Sequence, residues 1–188
     1  MRGRAFGGFG TKVPSLRKGE IMWGSSFAAV LVALGVVVPA TDAAAAPTAK
    51  CVSTQLSGAI VSLDPGAGQR HAIMRVRNAS ATTCSLYGYG GLQLTAADGR
   101  PNPTNSERVA NPGPSQVVLR PGAGADKVLD WWASPGEGEP TTGRCQPEST
   151  GLRVIPPDGT TAFTVTFTFG SVCIGGLIRN SAYYPAAG

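Results

Sequence analysis

The stretch TAFTVTFTFG, Thr161 to Gly170, alternates without a break: Phe163, Val165, Phe167 and Phe169 hold one parity, Thr164, Thr166 and Thr168 the other. Successive side chains of a strand point to opposite faces, so this stretch reads as a strand with an apolar core face and a polar outer face. Just upstream, GLRVIPPDGTT (Gly151 to Thr161) supplies a short strand and a Pro-Asp-Gly turn, which together with the phenylalanine strand make a hairpin. The threonine ladder itself is what β propensity places on a solvated face, and it predicts no recognition surface.

The same period recurs outward along the chain. HAIMRVRN puts Ala72, Met74 and Val76 inward and Arg75 and Arg77 outward. In GGLQLTAADGR, Leu92 and Leu94 face inward and Asp98-Gly99 forms the closing turn. SQVVLRPG is a further strand, and in KVLDWWAS Leu129 and Trp131 share one face while Val128, Asp130 and Trp132 share the other. RPNPTNSERVANPGP and SPGEGEPTTGR, rich in proline, glycine and polar residues, read as mobile surface loops. No stretch sustains helical apolar spacing over more than about ten residues. Seven or eight short strands with turns between them predict an all-β fold, a two-sheet antiparallel β-sandwich that is immunoglobulin-like in the broad sense. The immunoglobulin core tryptophan has no counterpart, because Trp131 follows Cys84 by 47 residues.

Ahead of these strands, Phe27 to Val38 is an unbroken apolar run preceded by Lys12, Arg17 and Lys18 and followed by Pro39. This is the three-part layout of a secretory signal, with Ala44 to Ala46 offering a cleavage site before Pro47. We expect a signal peptide over residues 1–46 and a single secreted domain over residues 47–188. The apolar run is shorter than the roughly 20 residues a bilayer-spanning helix needs, so no permanent membrane anchor is expected. Lys50 before Cys51 does not suit a lipid-anchored cysteine, and Arg17-Lys18 is a degenerate twin-arginine pair beside an ordinary export route. The leader holds five basic and two acidic residues of the chain's 16 and 11, leaving 11 and 9 after it. The net charge of +5 thus belongs mostly to the leader, and no Lys/Arg cluster of the nucleic-acid-binding kind remains.

Cys51, Cys84, Cys145 and Cys173 all follow the leader, and an even count in an oxidising compartment predicts two disulfides, in any of three connectivities. Gaps of 33, 61 and 28 residues and a single histidine do not fit zinc ligation, and no cofactor is expected. A nucleophilic cysteine would have to stay unpaired beside a base.

The order of Cys51, PGAGQRH, IMRVRNAS, CSLYGYGGLQL with Asp98-Gly99, VVLRPGAGA, LDWW, GRCQPE around Cys145 and LRVIPP resembles the secreted actinobacterial family called domain of unknown function 4232. The resemblance runs from about Cys51 to Ile178. It implies an exported, disulfide-bonded β-sandwich of the cell envelope or medium, and it favours in-order pairing, Cys51 with Cys84 and Cys145 with Cys173. Family members often carry a proline after the glycine that follows the second cysteine, where this chain has Tyr89-Gly90. The family supplies no catalytic residue to carry over.

Among chemical candidates, His71 would need a serine and a carboxylate such as Asp64 or Asp98 for a triad, and no nucleophile elbow accompanies it. It reads as a strand-edge polar residue. Glu137 and Glu139 lie in a glycine-proline loop and read as solvated, and Asn78-Ala79-Ser80 as a turn between strands. The aromatics make the best site: of Trp131 and Trp132 only one can enter the core, and Tyr87, Tyr89, Tyr183 and Tyr184 could join the other in a binding patch. The expected function is a non-catalytic envelope or extracellular module, binding or structural, with Trp131, Trp132, Tyr87 and Tyr89 as candidate contacts to cell-wall polymer or an envelope protein. The alternative is a small secreted hydrolase or inhibitor with its site in the proline-rich loops.

Overall fold

The computed structural model describes residues 46–187. The apolar run Phe27 to Val38 and the signal peptide expected around it lie outside the described residues. Among the described residues no helix is long and apolar enough to cross a membrane.

The largest sheet has six strands. Its central path runs β1 (Leu56–Pro65), β2 (Gln69–Asn78), β7 (Gly124–Trp132), β10 (Leu177–Asn180) and β5 (Asn105–Arg108), and β11 (Tyr184–Pro185) also pairs with β7. A two-stranded sheet joins β3 (Cys84–Tyr87) to β6 (Gln116–Leu119), and a three-stranded one orders β4 (Gly91–Thr95), β8 (Gly151–Ile155) and β9 (Phe163–Thr166). Met74, Leu129, Trp131 and Ile178 of the large sheet, Leu86 and Leu119 of the pair, and Leu94, Leu152 and Val165 of the triplet belong to one buried cluster. The result is a β-sandwich, with the large sheet as one layer and the two smaller sheets contributing to the other.

The alternation carries this arrangement. Ala72, Met74 and Val76 are wholly buried on β2, Val165 and Phe167 are buried at the end of the phenylalanine stretch, and its threonines are exposed. Trp131 packs its indole 5.2 Å from the Phe167 ring, and Phe167 meets Phe169 edge-on at the same 5.2 Å. β8 and β9 form the hairpin expected around the Pro-Asp-Gly turn, with Val154 opposite Phe163.

Three features depart from the expectations of the sequence. Eleven strands are present among the described residues, and β5 and β10 run parallel, where the short turns predict antiparallel pairing throughout. β5 lies within RPNPTNSERVANPGP, so that stretch is not a free loop: Asn180 donates its side-chain amide to Ser106 Oγ and to the Glu107 carbonyl, both at 2.9 Å. β5 is exposed along its length and gives apolar periodicity nothing to detect. His71 is not at a strand edge, because β2 is paired on both sides, with Asp64 of β1 and Asp130 of β7 as its neighbours.

Disulfides join Cys51 to Cys84 and Cys145 to Cys173. The first anchors the segment before β1, whose backbone bonds to β3 through Cys51 N to Ser85 O (2.9 Å) and Ser85 N to Ala49 O (2.8 Å). The second ties the loop after β7 to a tight turn at Cys173–Gly176. In that turn Gly176 has φ +78°, and a Cβ there would lie 2.0 Å from the Pro103 carbonyl, so only glycine lets β10 start beside the approach to β5.

Candidate binding cleft

β3 ends at Tyr87 and runs into the glycine-rich segment Gly88-Tyr89-Gly90-Gly91. Gly88 and Gly90 have φ of +100° and +70°, and a Cβ on Gly90 would sit 2.3 Å from the Ile155 carbonyl oxygen. The segment therefore turns sharply and presses against the end of β8. Two buried residues hold it from beneath: the Tyr183 amide donates to the Gly88 carbonyl at 2.9 Å, and the Lys127 ammonium donates to the Tyr89 carbonyl.

Above this floor lies a cleft of about 550 Å³. Tyr87 and Tyr89 form one side, Pro156 to Gly159 of the β8–β9 turn another, and Arg108 at the end of β5 with Pro114 a third. A second depression of about 310 Å³ continues past Tyr87, sharing that tyrosine, Pro157 and Asp158 and adding Lys50 and Gln116. Tyr87 is 62% exposed and stands between the two. The far wall is fixed by the Gly159 amide on the Pro156 carbonyl (2.9 Å) and by Lys50, whose ammonium meets the Asp158 carboxylate at 2.7 Å.

Cations gather around Tyr89. Its ring lies under the Arg108 guanidinium, 5.3 Å from the centroid, and the Lys127 nitrogen is 5.8 Å from the same centroid and 4.8 Å from that of Tyr183. Lys127 is wholly buried, donates also to Asn180 Oδ1 at 2.7 Å, and titrates at about 7, far below its ordinary value. Desolvation is the main cause, and the nearby Arg108 charge adds to it. This lysine is not among the candidates that the sequence alone brings forward. Carrying the Leu129, Trp131 alternation back by two residues places Lys127 on the core face, and a lysine at a core position is the signal that marks it.

The sequence candidates separate. Tyr87 and Tyr89 come together in the cleft. Trp131 is a correction: with 0% exposure, enclosed by Phe167 and Phe169, it offers no contact surface. Trp132 faces the opposite side of β7, half-buried, with the Arg179 guanidinium 5.6 Å from its ring, and it does not line the cleft. Tyr183 is buried beneath the glycine segment, and Tyr184 pairs across from Asp126.

The other chemical candidates lie elsewhere. His71 meets the Asp130 carboxylate through Nδ1, in a cross-strand row of Asp64, His71, Asp130, Arg179 and Glu107. Its carboxylate partner is thus Asp130, rather than Asp64 or Asp98. Glu139 is not simply solvated. Its carboxylate accepts from the amides of Gly136 (2.9 Å), Ile174 (2.8 Å) and Gly175 (2.8 Å) and from Gln146 Nε2 (2.6 Å). Burial opposes its ionisation, but these donors outweigh it and hold the carboxyl at about 2. Glu139, Cys145 and Cys173 place their ligand atoms within 4.8 Å of one another, but the two sulfurs are bonded to each other and neither is a thiolate.

The family model of a domain of unknown function, DUF4232, matches residues 51–180. No curated protein and no solved structure matches the chain.

Proposed function

We propose that this chain, which belongs to the DUF4232 family, is a non-catalytic exported module of an actinobacterial cell envelope or its surroundings, binding cell-wall polymer or an envelope protein through the Tyr87 cleft. The observation that carries the reading is the support beneath the cleft. Its exposed tyrosine leaves a strand stapled by Cys51–Cys84, and its floor is pinned by the buried Lys127 ammonium and by the backbone amide of the buried Tyr183. A preformed concave site of this volume, with apolar walls and a few polar groups, is the usual form of a binding site. Export is supported by the leader layout and by pairing of all four cysteines. Residues 1–46 serve as the signal peptide and residues 47–188 as one domain. N-terminal sequencing of the exported protein should begin near Pro47, and an N-terminus at Met1 would refute the leader.

The test of the binding role is crosslinking in the native envelope from a photoreactive group at Gln116, beside Tyr87 in the second depression. One set of crosslinked species that disappears on Tyr87→Ala is the expected result. A pattern indifferent to Tyr87→Ala and Tyr89→Ala would remove the cleft from the function. A second reading, a small secreted hydrolase or inhibitor, draws on one observation: RPNPTNSERVANPGP contributes Arg108 and Pro114 to the cleft. Turnover that survives His71→Ala but is lost on Arg108→Ala would favour it.

A further inference from the structure

Arg108 is exposed and held over the Tyr89 ring, and no carboxylate among the described residues pairs with it; its neighbour Glu107 reaches Arg179 instead, at 3.5 Å. Stacking occupies the face of a guanidinium and leaves its planar fork of N–H donors to meet a carboxylate. The one carboxylate lining the cleft, Asp158, is already held by Lys50. Of the two charged residues that line the cleft, Asp158 is thus compensated by Lys50 and Arg108 is not, so the Arg108 end of the cleft carries an uncompensated positive charge.

The walls narrow the choice of ligand further. A saccharide would stack on open aromatic faces, yet the Tyr89 ring lies under Arg108, with Lys127 close by. Tyr87 is the lining tyrosine left largely exposed. Opposite it stand Pro156 and Pro157, with Pro114 beyond. A tyrosine and prolines lining one open cleft are the kind of surface that accepts an extended, proline-containing backbone with little ordering cost. Because the second depression shares Tyr87 and Pro157, such a ligand passes over the tyrosine without leaving the surface.

The geometry points to an extended peptide with a free carboxylate as the occupant of the cleft: its proline or apolar side chains lie between Tyr87 and Pro156–Pro157, and its carboxylate pairs with Arg108. This rests on the cleft being the binding site. It selects a peptide over wall polymer and assigns Arg108 as the residue that reads charge.

Three probes separate this inference from the reading beneath it: a pooled acetyl-Xaa-Pro-Xaa-Pro-Xaa library with free carboxyl termini, the same library amidated, and neutral chitotetraose. Each is titrated into the isotope-labelled protein while the backbone amide signals of Gly88 and Gly90 are followed. The free-acid pool should shift them at roughly tenfold lower concentration than the amidated pool, as one charge-assisted contact provides. Arg108→Gln should abolish that difference and Arg108→Lys restore part of it, while Tyr87→Ala weakens both pools. Arg108 is exposed, so unchanged signals elsewhere will report an intact fold. Equal shifts from both pools, or a shift from chitotetraose alone, would overturn the carboxylate peptide and leave a binding cleft standing. No shift from any probe would remove both.

Discussion

Burying Lys127 strips its ammonium of water, and the contacts it gains are two carbonyl oxygens and two tyrosine rings rather than a carboxylate. Its stability consequence has a definite sign. The folded lysine titrates at about 7 and the unfolded one near 10.5, so between those values the unfolded chain binds more protons and stability rises with pH. Burial pushes the Tyr183 hydroxyl the other way, above its ordinary 10.0, so beyond pH 10 the unfolded chain releases a proton that the folded one keeps and stability falls. Urea midpoints should climb from pH 7 to a maximum near pH 10, a gain of a few kcal/mol, because each tenfold change in proton affinity is worth about 1.4 kcal/mol. Lys127→Met should flatten that limb and, by freeing the Tyr89 carbonyl, speed hydrogen exchange at Gly88 and Gly90. A wild-type midpoint that does not change over this range would mean that the ammonium is not desolvated as described. Gly90 carries a second test at this scale. Gly90→Ala meets both a φ of +70° and a Cβ 2.3 Å from the Ile155 oxygen. It should cost about 1–3 kcal/mol in chemical denaturation and displace the cleft floor.

At the scale of elements, the loop after β7 and the turn at Cys173–Gly176 behave as one unit, joined by a disulfide and by the four donors converging on Glu139. Those donors depress the folded pKa of Glu139 below its ordinary 4.5. The stability they contribute is present above pH 4.5 and is lost as pH falls through about 2. Glu139→Gln turns an amide NH₂ toward groups that are themselves donors. It should lower Tm by several degrees at pH 7, with the difference from the wild type shrinking toward pH 2, and thermal melts across that range check it. This loop and β5 both escape a reading of the sequence, and the reason is physical. Alternation reveals strands that bury one face, so β2, β4, β7 and β9 are legible from Met74, Leu94, Leu129 and Val165. β5 buries neither face and is held by backbone pairing to β10 and by the Asn180 amide, which leave no periodic trace. The second half of β1 exposes Val61 and Leu63 after a register shift between Ile60 and Ser62, so its pattern also fails there. The cleft divides in the same way. Tyr87 and Tyr89 stand out as aromatics among glycines beside a cysteine, whereas Arg108 and Pro156–Pro157 reach them only through contacts across the chain.

For the whole molecule the question is what the staples add to a core that already runs through both layers. The disulfides span separations of 33 and 28 residues. In the chain-entropy view each loop is worth about 3–4 kcal/mol, so losing both removes a large part of the roughly 5–15 kcal/mol by which domains are stable. The two losses should also differ in kind. Cys145–Cys173 closes a unit that retains the Glu139 hydrogen bonds, so replacing both of its cysteines with alanine should lower stability and leave the Gly88 and Gly90 amides in place. Cys51–Cys84 holds the segment that pairs with β3, the strand ending in Tyr87. Removing it should lower stability and also loosen the lip of the cleft, with weaker binding at Tyr87 even where the chain remains folded. Urea midpoints for the two double variants, with hydrogen exchange at Gly88 and Gly90 as the local readout, separate the global effect from the local one. The prerequisite is chemical: intact mass should rise by about 4 Da on reduction of two disulfides, and four free thiols before reduction would refute both staples. If the two variants lost stability equally and left the cleft amides equally protected, the first disulfide would be a general staple, and the lip of the cleft would be held by Lys127 and Tyr183 alone.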